Sequence, residues 1–203
     1  MTADPFPARL GSLILSTRNE HKLREFREAM VGVEIEALPE EVVLPPETGS
    51  TFAENALGKA RAAAAATGRI SIADDSGIEA SALGGLPGVR SARYAGEDAT
   101  DEENLEKLIE ALRGSEDRAV AYVCALALVE PGGSETVVEG RCEGRLTMDP
   151  RGSGGFGYDP AFIPLAGDGE RSMAELSPEE KHAISHRGAA IAALAERLRG
   201  EER

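Results

Sequence analysis

Two apolar runs, AVAYVCALALVE over residues 119–130 and TVVEGRC over residues 136–142, lie on either side of the turn sequence PGGS at residues 131–134. Apolar runs that flank a short glycine-containing turn predict an antiparallel β-hairpin. Much of the remaining chain alternates between helical and strand patterns, so the hairpin adds antiparallel strands to an alternating arrangement. We therefore expect an α/β fold with a mixed central sheet flanked by helices.

The first half of the chain shows this alternation. The apolar runs Leu13–Leu15 and Ile70–Ala73 are typical of short buried strands, and the second is expected to end at Asp74-Asp75-Ser76-Gly77. Thr51 and Glu54 have the spacing of a capping box, which predicts the start of an alanine-rich helix between the two strands. Strands and helices therefore succeed one another before the hairpin begins.

A further helix is predicted near the C-terminal end of the chain. Ser177 is a favoured N-cap residue, Pro178 suits the first turn and Glu180 suits the third position. We expect one continuous helix from this point to about Arg199. No internal repeat or linker divides the chain, so a single domain over residues 1–203 is expected.

Composition indicates a soluble globular protein. Hydrophobic residues make up 41% of the chain and charged residues 29%, and no apolar run reaches the length of about 18 residues that a membrane span needs. The opening Met1-Thr2-Ala3-Asp4-Pro5 lacks the basic start and apolar stretch of a secretory signal. Cys124 and Cys142 match no metal-ligand spacing and are interpreted as reduced thiols. We therefore expect a cytoplasmic protein without a membrane partner.

The net charge restricts the ligands of the protein. A formal charge of −14 argues against binding of a nucleic-acid backbone, which needs a basic face. A small anionic ligand remains compatible, because it needs only a few well-placed cations and backbone amides. No nucleic-acid partner is therefore expected.

The segment Ser16-Thr17-Arg18-Asn19-Glu20-His21-Lys22 lies between the first predicted strand and a helical pattern. A strand-to-helix turn presents free backbone N–H groups at the positive end of the helix dipole. Together with Lys22, these groups could hold phosphate. Simple capping of the helix by Thr17 or Asn19 explains the same residues, and the segment alone leaves both interpretations open.

Asp74 and Asp75 are the best candidates for catalysis. Adjacent carboxylates suit Mg²⁺, which prefers hard oxygen ligands and often shares them with substrate phosphates. Metal coordination makes a bound water more acidic, so that an aspartate can accept its proton. A turn-forming aspartate pair is the alternative. Glu47 could complete the carboxylate set or simply be exposed to solvent. Lys59 could face a phosphate or form a surface pair with Glu54.

The loop Gly152-Ser153-Gly154-Gly155-Phe156-Gly157-Tyr158-Asp159-Pro160 carries two of the eight aromatic residues of the chain. Glycine-rich backbone allows close approach of a ligand, and Phe156 offers a flat apolar face. The spacing also fits G-x-G-x-x-G, but that fingerprint must open a helix, and Asp159-Pro160 is a poor helix start. We therefore interpret the loop as a clamp for a planar base.

Four side chains near the C-terminal helix start are potential hydrogen-bond donors to the ring of a purine. Lys181, His182, His186 and Arg187 fall within seven positions of the chain. An adjacent histidine and arginine can donate to the carbonyl oxygens of a purine. Zinc binding by the two histidines is disfavoured because no third ligand accompanies them. A basic, solvated helix turn is the remaining alternative.

These segments, taken in order, resemble the inosine triphosphate pyrophosphatase family over nearly the whole chain. The matching stretches are residues 16–22, 47–56, 73–77, 83–94, 154–160 and 180–187. Arg18 departs from the pattern, because many members have glycine there. The arginine restricts the loop but adds a cation attracted to phosphate.

The resemblance implies hydrolysis of ITP, dITP and XTP to the monophosphate and pyrophosphate, with Mg²⁺, by a homodimer that cleans the nucleotide pool. It also implies two lobes with the active-site cleft between them. Carried over by position, Asp75 is expected to accept a proton, and Glu47 and Asp74 to share the metal with it. Residues expected to contact the substrate are Thr17, Arg18, Asn19, Glu20, His21, Lys22, Lys59, Ser76, Phe156, Gly157, Tyr158, Asp159, Lys181, His186 and Arg187.

Three other functions are weighed against this one. A related pyrophosphatase acting on modified pyrimidine nucleotides or dTTP differs only in its substrate. An aspartyl-phosphate phosphatase would need a D-x-D motif, which Asp74-Asp75-Ser76 lacks. A nucleotide-binding module without catalysis is disfavoured by the aspartate pair.

Overall fold

The computed structural model describes residues 6–200. Residues 1–5, on which the prediction of no secretory signal rests, and residues 201–203 lie outside the described residues. The strands are β1 Ser12–Leu15, β2 Glu34–Ala37, β3 Ser71–Ala80, β4 Ala119–Val129, β5 Glu135–Leu146 and β6 Phe162–Pro164. The α-helices are α1 Glu20–Ala29, α2 Phe52–Thr67, α3 Asp101–Ala111, α4 Pro178–Ile184 and α5 His186–Gly200. Among the described helices, none combines the length and the apolar character needed to cross a membrane.

The described strands form a single six-stranded mixed sheet in the order β2-β1-β3-β4-β5-β6. Strand β1 pairs in parallel with β2 and with β3, whereas β5 pairs antiparallel with β6. The turn at residues 130–134 joins β4 to β5, with the N–H of Glu130 donating to the carbonyl of Ser134 at 2.9 Å. The predicted mixed α/β sheet and the predicted hairpin are therefore confirmed.

Capping boxes fix the starts of α2 and α3. The Thr51 hydroxyl accepts from the N–H of Glu54 at 3.1 Å, and the Glu54 carboxylate accepts from the N–H of Thr51 at 3.3 Å. Thr100 and Glu103 form the same pair of bonds at α3. Each box satisfies N–H groups that the first turn of a helix leaves free. The predicted start of α2 is confirmed.

The predicted end of the third strand is wrong. Strand β3 does not stop at Ala73 but continues through Asp74 and Asp75 to Ala80. Both aspartates are buried, and lysine side chains lie against their carboxylates. Because these distant lysines compensate the buried charges, the strand can continue through residues that are usual in turns.

Strand β2 was not predicted. Its sequence, EIEA, contains one buried residue, Ile35, which pairs with Leu13 of β1. The strand lies at the edge of the sheet, so it buries little apolar surface and has a weak sequence pattern.

The single C-terminal helix is also wrong, because Ser185 divides it into α4 and α5. Ser185 has extended backbone angles, φ −74° and ψ 152°, and its hydroxyl accepts from the N–H of Gly188 at 3.0 Å. At Gly188 an added Cβ would lie 2.2 Å from the carbonyl oxygen of His182, so the close approach needs glycine. Residues 179–187 contain no proline or glycine, which explains why the sequence pattern did not show the break.

The chain divides into two compact units. Unit 1 comprises the chain up to Asp75, Cys124–Gly140 and the residues from Ala190 onward, and unit 2 comprises Ser76–Val123 and Arg141–Ala189. The core of unit 1 is built around fully buried side chains that include Leu13, Phe26 and Leu126. The core of unit 2 is built around others, among them Ile78, Leu108 and Phe162. The expectation of one domain over residues 1–203 stays a prediction.

The two thiols provide a test of core packing. Cys124 and Cys142 are both buried, and burial raises the pKa of Cys142 to about 11. A raised pKa leaves less thiolate at any given pH, so at about pH 8 the Cys142 thiolate should be roughly a hundred-fold scarcer than that of an exposed cysteine. We expect an aromatic disulfide reagent to react slowly with the native protein and rapidly with both thiols in denaturing urea. Rapid reaction of the native protein would contradict this packing.

Candidate functional site

A carboxylate cluster in unit 1 surrounds the aspartate pair of β3. Lys22 Nζ lies 3.0 Å from Asp74 Oδ2, and the Asp74 side chain is fully buried. Lys59 Nζ lies 3.9 Å from Asp75 Oδ1 and also pairs with Glu47. The cluster therefore gathers three carboxylates and two ammonium groups from a strand, a loop and two helices. The predicted surface pair of Lys59 with Glu54 is not formed, since Lys59 is buried here.

The surroundings set the protonation of this carboxylate cluster. Burial raises the pKa of Asp75, although the positive charge of Lys59 and a hydrogen bond from Asn55 Nδ2 at 2.9 Å partly oppose the rise. Burial alone would lower the pKa of Lys59, but the neighbouring carboxylates more than compensate and raise it. Lys59 therefore stays charged, and Asp75 is a stronger base than an exposed aspartate.

The turn between β1 and α1 is held by its own side chains. Asn19 caps α1, its Oδ1 accepting from the N–H groups of His21 at 2.9 Å and of Lys22 at 3.1 Å. Thr17 Oγ1 accepts from the N–H of Asn19 at 3.1 Å. The capping interpretation is thus confirmed for Asn19. Glu20 and His21 are exposed on the first helical turn, and phosphate binding by this turn stays a prediction.

Arg18 makes an unusual set of contacts with backbone carbonyls. Its guanidinium donates to the carbonyl oxygens of Leu38, Pro39 and Val42, each at 2.8 Å. A longer contact of 3.2 Å reaches the carbonyl of Glu40. The planar donor fork of arginine suits such a cluster of acceptors. Through these hydrogen bonds Arg18 links the turn after β1 to the segment that follows β2. Its contact with phosphate stays a prediction.

A second cluster, in unit 2, surrounds the buried carboxylate of Asp159. Asp159 Oδ2 accepts from the N–H of Phe156 at 2.9 Å and from Lys181 Nζ at 2.8 Å. Tyr122 Oη donates to the other oxygen, Oδ1, at 3.0 Å. Lys181 Nζ also lies 5.1 Å from the centroid of the Phe156 ring. We call these four residues the aromatic cluster.

Glycine is required at the entrance to this aromatic cluster. Gly155 has φ +72°, and a Cβ on it would lie 2.0 Å from Asp159 Oδ2. On the far side, the N–H of Gly157 donates to Asp101 Oδ2 at 2.8 Å, and Tyr158 Oη donates to the carbonyl of Ser91 at 2.7 Å. The glycines therefore let the loop fold tightly around its own aspartate, which fixes the backbone on both sides of the Phe156 ring.

The helix break at Ser185 places two donors in the interior of unit 2. His186 and Arg187 are both buried, whereas His182 is exposed. The His186 ring stacks on Tyr122 with a centroid separation of 4.7 Å and an interplanar angle of 17°. Arg187 Nη2 donates to Ser76 Oγ at 3.2 Å. The interpretation of this pair as a solvated helix turn is wrong.

Comparison with known proteins identifies the family of this chain. The family model described as the Ham1 family matches residues 13–197. The chain belongs to the Ham1 family. It is 50% identical over 194 residues to a dITP/XTP pyrophosphatase of Geobacillus kaustophilus, a match that covers 92% of this chain and 94% of the relative. The family resemblance predicted from the sequence is thereby confirmed.

Solved structures of Ham1 relatives have the same fold. The Ham1 protein of Staphylococcus aureus is 40% identical with a TM-score of 0.84, over 94% of this chain and 99% of that chain. A Mycobacterium abscessus protein described as nucleoside-triphosphatase / dITP/XTP pyrophosphatase is 46% identical with a TM-score of 0.73, over 90% and 98%.

Two residues that were not predicted as site residues each donate a hydrogen bond to a buried carboxylate of the two clusters. Asn55 holds Asp75, and Tyr122 holds Asp159. Asn55 lies one residue after the capping glutamate, a spacing that places it on the first turn of α2 facing the sheet. Tyr122 lies within the apolar run of β4, where a tyrosine is indistinguishable in sequence from an ordinary core residue.

The carboxylate cluster fits a metal that is shared with substrate. Within residues 6–200, no group of three His, Cys, Asp or Glu side chains has the arrangement needed to hold a metal ion without other ligands, and this includes the three carboxylates of the cluster. Mg²⁺ does not need such a shell, since it keeps several waters and is bound by one or two carboxylates together with substrate phosphates. The oxygen donors of Asp74, Asp75 and Glu47 are of the kind that Mg²⁺ prefers.

Replacement of Arg18 distinguishes a structural anchor from a phosphate contact. If the guanidinium mainly fastens backbone carbonyls, Arg18→Ala should lower the free energy of unfolding by about 1–3 kcal/mol, since each such bond contributes about 0.5–1.5 kcal/mol and part of the site is exposed. Arg24→Ala, on the exposed face of α1, is the matched control. Chemical denaturation measures both. Unchanged stability combined with a raised KM for substrate would instead favour a phosphate contact.

Proposed function

We propose that this chain hydrolyses non-standard purine nucleoside triphosphates, namely ITP, dITP and XTP, to the monophosphate and pyrophosphate, and so removes them from the nucleotide pool. Membership of the Ham1 family and relatives named dITP/XTP pyrophosphatase support this reaction. The observation that carries it is the carboxylate cluster, in which two buried aspartates lie against two lysines.

The carboxylate cluster suits the phosphate end of such a substrate. Lys22 and Lys59 bring positive charge, and the turn before α1 adds the N-terminus of a helix. In the proposed reaction, water attacks the α-phosphorus and gives its proton to Asp75, and pyrophosphate leaves. Catalysis would then depend mainly on positioning and on electrostatic stabilisation of the leaving phosphates.

Mg²⁺ is the metal that we propose for this reaction. Glu47, Asp74 and Asp75 would hold it, and when bound it would neutralise phosphate charge and acidify water. The chain itself places positive charge beside these oxygens, because Lys22 lies against Asp74 and Lys59 lies against Asp75 and Glu47.

The aromatic cluster suits the base end. The Phe156 ring would stack on the purine, with Gly157, Tyr158 and Asp159 beside it. Lys181, His186 and Arg187 would donate to base oxygens, and Ser76 would hold phosphate. A 6-oxo group accepts from buried donors, whereas the 6-amino group of adenine would leave them unpaired. Exclusion of guanine needs an additional clash at its 2-amino group.

We further propose a cytoplasmic homodimer with a single catalytic domain over residues 1–203 and no nucleic-acid partner. The family resemblance supports the dimer, and the charge of −14 supports the lack of a nucleic-acid partner. Light scattering during size-exclusion chromatography measures the oligomeric state.

Pyrophosphate release tests the function. We expect release from ITP, dITP and XTP in the presence of Mg²⁺, much less from ATP and GTP, and little from any of them without the metal. Release mainly from dTTP would show that a pyrimidine nucleotide is the substrate. Binding of all the nucleotides without any release would show a binding module.

Asp75→Asn should abolish pyrophosphate release while ITP still binds. Loss of a general base lowers the rate by about 10²–10⁴-fold.

Burial raises the pKa of Asp75, so its stabilising contribution is present at low pH and is lost as the pH rises through the raised pKa. At neutral pH the ionised side chain therefore lowers stability, and the amide variant should melt at the same temperature or higher. Asp149→Asn, at an exposed position, is the control, and retained turnover in Asp75→Asn would refute the assignment.

Phe156→Ala should weaken substrate binding. Stacking of a base on an aromatic ring contributes about 1–3 kcal/mol, so kcat/KM for ITP should fall by about 5–160-fold. Inhibition by pyrophosphate, which has no base, should change little. Leu165→Ala removes a comparable exposed apolar side chain elsewhere in unit 2 and is the control. Unchanged KM and kcat/KM would contradict the stacking role.

A further inference from the structure

Tyr122 connects two parts of the proposed base-binding residues that are separate in sequence. It lies in β4 and is buried, with its ring against Phe162 at a centroid distance of 4.4 Å. Its hydroxyl donates to Asp159 of the glycine-rich loop, and its ring stacks on His186 at the start of α5. One side chain therefore contacts both the loop carboxylate and the helix imidazole.

The two oxygens of Asp159 have separate partners. Oδ1 accepts from Tyr122, while Oδ2 accepts from the N–H of Phe156 and from Lys181. A carboxylate bonded at both oxygens cannot rotate without breaking a buried hydrogen bond. The orientation of Asp159 in turn fixes the Lys181 ammonium, which lies over the face of Phe156. A series of contacts therefore runs from the Tyr122 hydroxyl through Asp159 and Lys181 to the Phe156 ring.

The tyrosine is held in its donor form. Burial, reinforced by the negative charge of Asp159, raises the pKa of Tyr122 well above its ordinary value. The phenol therefore remains protonated throughout the physiological range and donates to Asp159 at every relevant pH. The stacked imidazole has its orientation limited by the same ring.

We propose that Tyr122 is a positioning residue for base selection, which fixes the donor and acceptor directions of Asp159, Lys181 and His186. This inference rests on the proposed function, since it assigns the base end of the substrate to the aromatic cluster. Tyr122 touches no substrate atom in this proposal and acts through Asp159. Without its hydroxyl, the Asp159 carboxylate can rotate, Lys181 can follow it, and the site can accept bases with a different pattern of donors and acceptors.

Tyr122→Phe is the informative variant because it keeps the stacked ring and removes only the hydroxyl. We expect the preference of the protein for IMP over AMP, measured as a ratio of dissociation constants by calorimetry, to fall by about ten-fold, the effect of one lost buried hydrogen bond. In pyrophosphate release, KM for ITP should rise while kcat changes little. Tyr94→Phe removes a phenol from the same unit outside the aromatic cluster and should leave both quantities unchanged.

A double-variant cycle with Asp159→Asn tests whether Tyr122 acts through Asp159. If it does, adding Tyr122→Phe to Asp159→Asn should change the IMP preference by much less than ten-fold. A purely structural role would lower the melting temperature and leave the preference intact, which would overturn the proposal. If Tyr122→Phe does not fold, the preference for IMP over AMP is measured in Asp159→Asn alone. A retained preference in that variant would show that Asp159 does not select the base and would overturn the proposal.

The binding assay separates this inference from the proposed reaction. A protein that prefers IMP but releases no pyrophosphate from any nucleotide would refute the proposed function and leave Tyr122 testable by binding. A wild-type protein that binds IMP and AMP equally would refute the role of Tyr122, whatever its hydrolytic activity. Loss of preference in Tyr122→Phe together with an unchanged Tyr94→Phe would support the role.

Discussion

The burial of two adjacent carboxylates in the middle of a strand is the constraint on which unit 1 depends. An ionised carboxylate held away from water without a partner costs several kcal/mol, so Asp74 and Asp75 require countercharge. Lys22 and Lys59 supply it from two different helices. The positions at which α1 and α2 begin are therefore tied to the chemistry of β3. Capping by Asn19 and Thr51, which looks like local helix formation, also sets where the two ammonium groups lie.

The aromatic cluster also contains a buried carboxylate, but there hydrogen-bond donors as well as a lysine compensate its charge. Asp159 is buried and receives donors from β4, from its own loop and from α4. One of these donors is a backbone N–H, which cannot move away as a side chain can. Gly155 makes that contact possible, because a side chain at this position would occupy the space of the carboxylate. Glycine at position 155 is therefore explained by the buried charge of Asp159 alone, without any ligand.

Sequence patterns correctly predicted those structural features that are formed by residues close together in the chain. The capping box at Thr51, the helix start at Ser177 and the hairpin each involve residues a few positions apart, and all three are predicted correctly. The predicted third strand ended too early, because an aspartate pair is typical of a turn. Only the folded chain shows that distant lysines face the two carboxylates. Arg18 was expected to seek phosphate, and only the folded chain shows four carbonyl oxygens around its guanidinium. The site motifs were recognisable through their family resemblance, whereas Tyr122 is hidden inside an apolar run and has no motif of its own.

The helix break at Ser185 determines which side chains of the C-terminal region are buried. A continuous helix would place His182 and His186 on the same face, one turn apart. The break instead leaves His182 exposed and turns His186 and Arg187 into the interior of unit 2. The buried Arg187 guanidinium donates to Ser76 Oγ, and the buried His186 ring stacks on Tyr122. Under the proposed function, a base that accepts hydrogen bonds would join these donors, while a base that cannot accept them would leave buried groups unsatisfied.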